Sequence, residues 1–114
     1  ALRDRLQVEL GAGFNSVLAN RYCNGKQYMG WHSDDEVELG ERPVIASLSF
    51  GAERRFLMRH RKRQDVKTFE WVLGHGSLLL MRGETQRHWK HRLPPAARCG
   101  GERVNLTFRQ VRTP

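Results

Sequence analysis

Zinc-ligand cysteine spacing is the first thing this chain lacks. It has two cysteines, Cys23 and Cys99, and no CxxC pair. That excludes a zinc framework and a disulfide-dense secreted fold, and it fits free thiols in a reducing cytosol. No apolar run approaches the roughly 20 residues that span a bilayer, so no membrane partner is expected. The opening Ala1-Leu2-Arg3-Asp4-Arg5 has neither the apolar centre of a signal peptide nor an initiator Met. The sequence therefore reads as a trimmed piece or fragment of a cytoplasmic protein. Repeats, low-complexity tracts, dividing linkers and βαβ alternation are also missing. What remains is one domain of 114 residues, expected to be a monomer.

Acidic residues are in deficit. Twelve Asp and Glu stand against 20 Lys and Arg, so 20 − 12 gives a net charge of +8, with a pI near 10.5. A balance this basic suits a polyanionic partner such as nucleic acid, although a well-solvated surface has the same signature. Apolar residues at 39% supply a core. Charged residues at 28% and a mean hydropathy of −0.66 argue for a soluble protein.

Short strands dominate the pattern. The first dozen residues are loosely helical, with Leu2, Leu6 and Leu10 at i, i+4 and i+8, and Gly11-Ala12-Gly13 ends that period. Residues 16–22 read as a strand, Asn24-Gly25 as a turn, and 30–40 as a polar, turn-rich segment. Pro43 opens a strand over 44–50. Phe56-Leu57-Met58 continues a sheet after Gly51, and 59–63 (Arg-His-Arg-Lys-Arg) form a basic loop. Residues 67–73 alternate as a strand, Gly74-His75-Gly76 turns, and 77–81 are apolar and expected to be buried. Strands over 88–93 and 104–111 complete an all-β sandwich or barrel with a short N-terminal helix.

Within that frame, His32-Ser33-Asp34 and the distant His91 have the composition of a 2-His-1-carboxylate iron site. In an extended segment residues i and i+2 share a side, so His32 and Asp34 reach one ion while Ser33 points away. A structural zinc site would more often be closed by a fourth ligand, commonly Cys. His60, His75 and His88 compete for the third position. A His-x-Asp pair alone also arises by chance, each His then being an ordinary hydrogen-bonded residue.

A second pattern follows the last of these. On a strand, Arg103, Asn105, Thr107 and Arg109 share one face, and Leu106 and Phe108 share the other. Two guanidiniums on an inward face are costly to bury alone. A small dicarboxylate would neutralise both through paired N–H···O contacts. Their α-carbons would lie about 20 Å apart at 3.3 Å per residue, so long side chains or a bent strand must close the gap. Without such a partner the same alternation is a solvated strand face. Asn20 and Tyr22, also two apart, would add an amide and a phenol to the pocket.

Taken together, Asn20-Arg21-Tyr22, Trp31-His32-Ser33-Asp34-Asp35-Glu36, Ala46-Ser47-Leu48-Ser49-Phe50-Gly51, His75-Gly76-Ser77-Leu78-Leu79, His88-Trp89-Lys90-His91 and Arg103-Val104-Asn105-Leu106-Thr107-Phe108-Arg109 resemble the AlkB family of iron(II)- and 2-oxoglutarate-dependent dioxygenases. The blocks run in family order over about residues 15–111. The resemblance implies a double-stranded β-helix, or jelly roll, filling residues 1–114 as a single dioxygenase domain. It implies His32, Asp34 and His91 as iron ligands, with His88 a neighbour, and Asn20, Tyr22, Arg103, Asn105 and Arg109 as the 2-oxoglutarate site. Molecular oxygen is the second co-substrate. The implied activity is oxidative demethylation of 1-methyladenine and 3-methylcytosine in DNA, releasing formaldehyde and converting 2-oxoglutarate to succinate.

Asp35 matches an acidic family residue near the target base, and Trp31 flanks the ligands, where core packing competes with substrate contact. Arg59 and Arg61, with Lys62, Arg63 and Lys67, are expected to meet phosphates. The Asp-Asp-Glu run is closer to the subgroup acting on duplex DNA. Family members carry an N-terminal nucleotide-recognition lid; little precedes Phe14, so the lid is expected to be lost or replaced by a partner. A bacterial version would sit near the nucleoid. Competing readings are the same chemistry on RNA or protein, a non-catalytic basic nucleic-acid-binding module, and a cupin-like zinc or manganese protein.

Overall fold

The computed structural model describes residues 2–10, 13–96, 98 and 100–111. Helix α1 (Leu2–Leu10) precedes strands β1 (Ser16–Tyr22), β2 (Met29–His32), β3 (Ile45–Gly51), β4 (Arg54–His60), β5 (Phe69–Leu73) and β6 (Leu78–Met81). A one-turn helix α2 (Thr85–His88) then leads into β7 (Trp89–Leu93) and β8 (Arg103–Arg109). Two four-stranded sheets result, ordered β1-β8-β3-β6 and β2-β7-β4-β5, with every pair antiparallel. The chain passes repeatedly from one sheet to the other, which is the winding of the expected jelly roll.

β3 shows how sequence sets the layers. It lies between β8 and β6, and five of its residues in a row are buried. Ala46 and Leu48 pack with Phe108, Phe14 and Leu6, so α1 covers the outside of the first sheet. Ile45 packs instead with Phe56, Met58, Leu73 and Met81, between the sheets. Burying each large side chain contributes about 1.5–3 kcal/mol. Ser47 and Ser49 share the inward side of β3 with Ile45, which makes part of the interior polar. Gly51 ends the strand at φ 93°. A side chain there would collide with the Glu102 carbonyl, the group that accepts the Ala52 N–H at 2.9 Å.

Several expectations need correction. Arg59 and His60 end β4 rather than opening a loop, because they pair with Lys90 and Trp89 of β7. Met29–His32 is a strand that takes in the first three residues of the segment 30–40 read as turn-rich, and Val37–Leu39 is a 3₁₀ turn. His88 ends α2 instead of starting a strand. β6 is an edge strand, and only its Met81 is buried, Leu78 being 44% exposed. Cys23 is exposed and free. Cys99 and the break at Gly11 and Ala12 lie outside the described residues.

Candidate metal and co-substrate site

β2 and β7 are neighbours, and their register makes His32 and His91 direct partners. The two rings lie 4.3 Å apart, edge to face. Asp34, just past β2, reaches the same point, with Oδ2 3.6 Å from His91 Nε2. One ligand atom from each of the three falls within 4.8 Å of the other two. His32 Nδ1 donates to the Gly30 carbonyl at 2.8 Å, which leaves Nε2 as a lone-pair donor. His91 is 2% exposed and stacks on Phe56 at 5.3 Å.

The charges of this cluster are poised for a cation. Burial, and then His32, push the His91 imidazole down to about 4. Burial raises the Asp34 carboxyl against the pull of His32 and Arg109. A buried imidazole held neutral and a carboxylate pushed towards protonation lack only a positive centre. Two N donors and one O donor suit iron(II).

Across the interior, the first sheet supplies a wall of guanidinium, amide and phenol groups. Tyr22 pairs with Arg103, and Asn20 with Asn105, in the β1–β8 register. Arg103 is 2% exposed, and its Nη2 donates to Ser49 Oγ at 2.5 Å. Its Nε and Nη1, and Arg109 Nε, are buried and have no protein partner. Burial lowers the Arg103 guanidinium and raises the Tyr22 phenol, opposed there by Arg103 and Arg54. Asn105 Nδ2 donates to Ser47 Oγ at 2.6 Å, and Thr107 Oγ1 donates to Asn105 Oδ1 at 2.8 Å.

A cavity of about 80 Å³ joins the two walls, bounded by His32, Asp34 and His91 on one side and Arg103, Asn105 and Arg109 on the other. The two arginines are spread along it. Arg103 lies with Tyr22 and Ser49, whereas Arg109 is close enough to act on Asp34. Orphaned guanidinium N–H groups in a buried cavity call for an anion with carboxylate geometry.

The remaining site candidates divide into two groups. Asp35 pairs with Arg61 at 3.6 Å, and both line an open cleft with Asp34, beside the His32–Asp34–His91 cluster. Trp31 lies on the opposite face of β2 from His32, with Arg59 Cζ 4.3 Å and Arg92 Cζ 5.7 Å from its ring. Trp31 and Arg59 therefore belong to the outer face of the second sheet. The other histidines are engaged elsewhere. His75 Nδ1 accepts from the Gly51 N–H, and His60 stacks on His88.

Sequence reasoning missed Ser47, Ser49 and Gln86. Two serines at i and i+2 in an apolar central strand are a readable sign of a polar inner face. Gln86, whose Oε1 accepts the Asp34 N–H at 2.8 Å, left no sign, because α2 is too short to have a period.

A two-sheet jelly roll holding a His-x-Asp…His cluster beside buried guanidiniums defines a mononuclear metal oxygenase. The sequence profile of the 2OG-Fe(II) oxygenase superfamily matches residues 2–109. The human alpha-ketoglutarate-dependent dioxygenase alkB homolog 3 is 46% identical over 96% of this chain and 41% of its own length. The mouse DNA oxidative demethylase ALKBH2 is 47% identical over 96% of this chain and 48% of its own. The solved structure of OsALKBH1 superposes with a TM-score of 0.70 at 20% identity, over 95% of this chain and 60% of that one. The chain belongs to the 2OG-Fe(II) oxygenase superfamily, in its AlkB branch. It spans less than half the length of these curated relatives. Membership brings iron(II), 2-oxoglutarate and oxygen as the working set, and the donor cluster and the orphaned guanidiniums fit the first two.

Proposed function

We propose that residues 1–114 form the oxygenase domain of a DNA demethylase that removes methyl groups from 1-methyladenine and 3-methylcytosine. One observation carries this reading: buried guanidinium N–H groups without partners open into the same cavity as His32, Asp34 and His91. The names of its relatives support DNA as the substrate.

In this reading His32, Asp34 and His91 hold the iron. Arg103, with Tyr22 beside it, takes the distal carboxylate of 2-oxoglutarate. Arg109 neutralises the carboxylate end nearer Asp34. Asn20 and Asn105 fix the acid's orientation, Asn105 being itself locked by Ser47 and Thr107. Iron with oxygen and 2-oxoglutarate supplies a two-electron oxidation of the methyl C–H bond, the acid losing carbon dioxide to become succinate. The hydroxymethylated base then releases formaldehyde. Both lesions are cationic and mispaired, so extruding them costs less than flipping a sound base. Asp35, exposed at the cleft rim, offers a negative charge to such a base. Arg61 and Arg59 meet phosphates, and Trp31 supports Arg59 from behind.

The nucleotide-recognition lid is assigned to chain outside these residues or to a partner. The domain is read as a cytoplasmic monomer, near the nucleoid if bacterial. Among the described residues no helix is long and apolar enough to cross a membrane. The test is formaldehyde and succinate release from oligonucleotides carrying 1-methyladenine or 3-methylcytosine, with and without 2-oxoglutarate. Methylated RNA and methylated peptide run alongside, and turnover on either of those alone would reassign the substrate. The same assay on a longer chain shows what the lid adds.

A further inference from the structure

Asp34 belongs to neither a helix nor a strand, so no sheet ladder fixes its peptide. A side chain does so instead. Gln86 Oε1 accepts the Asp34 N–H at 2.8 Å. Gln86 is only 2% exposed, and the other end of its amide, Nε2, lies 3.4 Å from Met81 Sδ. One residue earlier, Ser33 Oγ donates to the Trp89 carbonyl at 2.7 Å. The segment carrying the carboxylate is thus latched twice to α2 and β7, the stretch that also carries His91. Burying an amide costs about 1–3 kcal/mol unless it is hydrogen-bonded, and an apolar side chain would fill this space without that cost. A polar residue here needs a reason, and the Asp34 peptide supplies one.

We propose that Gln86 is a positioning residue for the metal centre, its carbonyl oxygen holding the Asp34 peptide so that the carboxylate meets the point shared by His32 and His91. The proposal rests on reading those three residues as the iron ligands. A metal ligand held by its surroundings has less freedom to lose on binding, and such supporting groups typically contribute 10- to 100-fold in affinity. The latch is not the only tie on this segment. Asp35 is tied separately to Arg61, and the Ser33 bond remains when Gln86 is changed.

Two substitutions separate positioning from space-filling. Gln86→Met keeps length and volume but has no oxygen, and Gln86→Glu keeps an acceptor in the same place. Metal-free protein is titrated with Mn(II), following the free-ion EPR signal, and Asp34 amide exchange is read by NMR. The methionine variant is expected to bind Mn(II) roughly 10- to 100-fold more weakly, with faster exchange at the Asp34 amide. The glutamate variant is expected to stay within about threefold of the parent. Parent-like Mn(II) affinity in Gln86→Met overturns the proposal, as does a folded Gln86→Glu that has lost the metal. Should Gln86→Met not fold, the glutamate result decides alone. Asp34→Ala tests the underlying reading separately. If it binds Mn(II) like the parent, the ligand assignment fails. If it loses Mn(II) while Gln86→Met keeps it, only the latch fails.

Discussion

Arg59 and Lys90 face each other directly across β4 and β7. Arg92 stands two pairs along, opposite Leu57, and Trp31 takes Arg59 and Arg92 against its ring. Like charges directly opposed on a sheet are destabilising, by a few tenths to about 1 kcal/mol. Lys90→Glu turns the pair attractive. The variant is expected to be more stable than the parent by about 0.5–1 kcal/mol, read by urea unfolding at low salt, and the gain should shrink as salt rises. A loss of stability would mean that the face is organised differently.

His32→Ala and Asp34→Ala each remove one of three donors that converge within 4.8 Å. Both are expected to abolish iron-dependent succinate production while leaving the far-UV circular dichroism unchanged. Undiminished succinate in either variant refutes the assignment.

Arg103 is buried with two nitrogens unpartnered, so in the ligand-free protein its charge is more burden than support. Arg103→Met is expected to leave thermal stability equal or higher. 2-Oxoglutarate affinity should fall by roughly 10- to 150-fold, the equivalent of about 1.5–3 kcal/mol for a charged hydrogen bond. Calorimetric titration reads the second quantity and thermal unfolding the first. Arg109→Ala is expected to weaken the co-substrate as well, and parent-like affinity there would displace the clamp.

The His91 imidazole is held at about 4 by burial, whereas the unfolded chain titrates near 6.5. Between those values the unfolded state binds a proton that the folded state refuses. The stability of the metal-free protein should therefore fall as pH drops from about 6.5 to about 4 and level off below. Asp34, raised by burial, works in the opposite sense at the acid end, because its folded form takes up a proton more readily. Urea unfolding against pH in chelator, comparing the parent with His91→Gln, should show a flatter slope in the variant. Added Mn(II) should protect the parent more at pH 7 than at pH 5, since the ligands must be deprotonated to bind.

The sequence made legible whatever repeats with a period. β1 matched its expected bounds and β3 and β8 came within two residues of theirs, and the shared face of Arg103, Asn105 and Arg109 followed from their spacing of two. His-x-Asp was readable for the same reason. β2 escaped because the segment from Gly30 onward looks turn-rich, although pairing with β7 makes its first three residues, with Met29, a strand. Arg59 and His60 looked like loop because a solvated outer face and a basic turn have the same composition. Trp31 flanks His32 in sequence, yet alternation puts its ring on the far side of the sheet. α2 and Gln86 could not be foreseen, since a single turn has no pattern and its role depends on a fold-dependent contact with Asp34.

His32 and His91 belong to one sheet, and Arg103 and Arg109 to the other. A dicarboxylate reaching from Arg103 to the histidine side would act as a rivet through the sandwich. Filling the cavity should then stiffen the whole barrel, with protection spreading along β7 and β8 together rather than staying at the residues the acid touches.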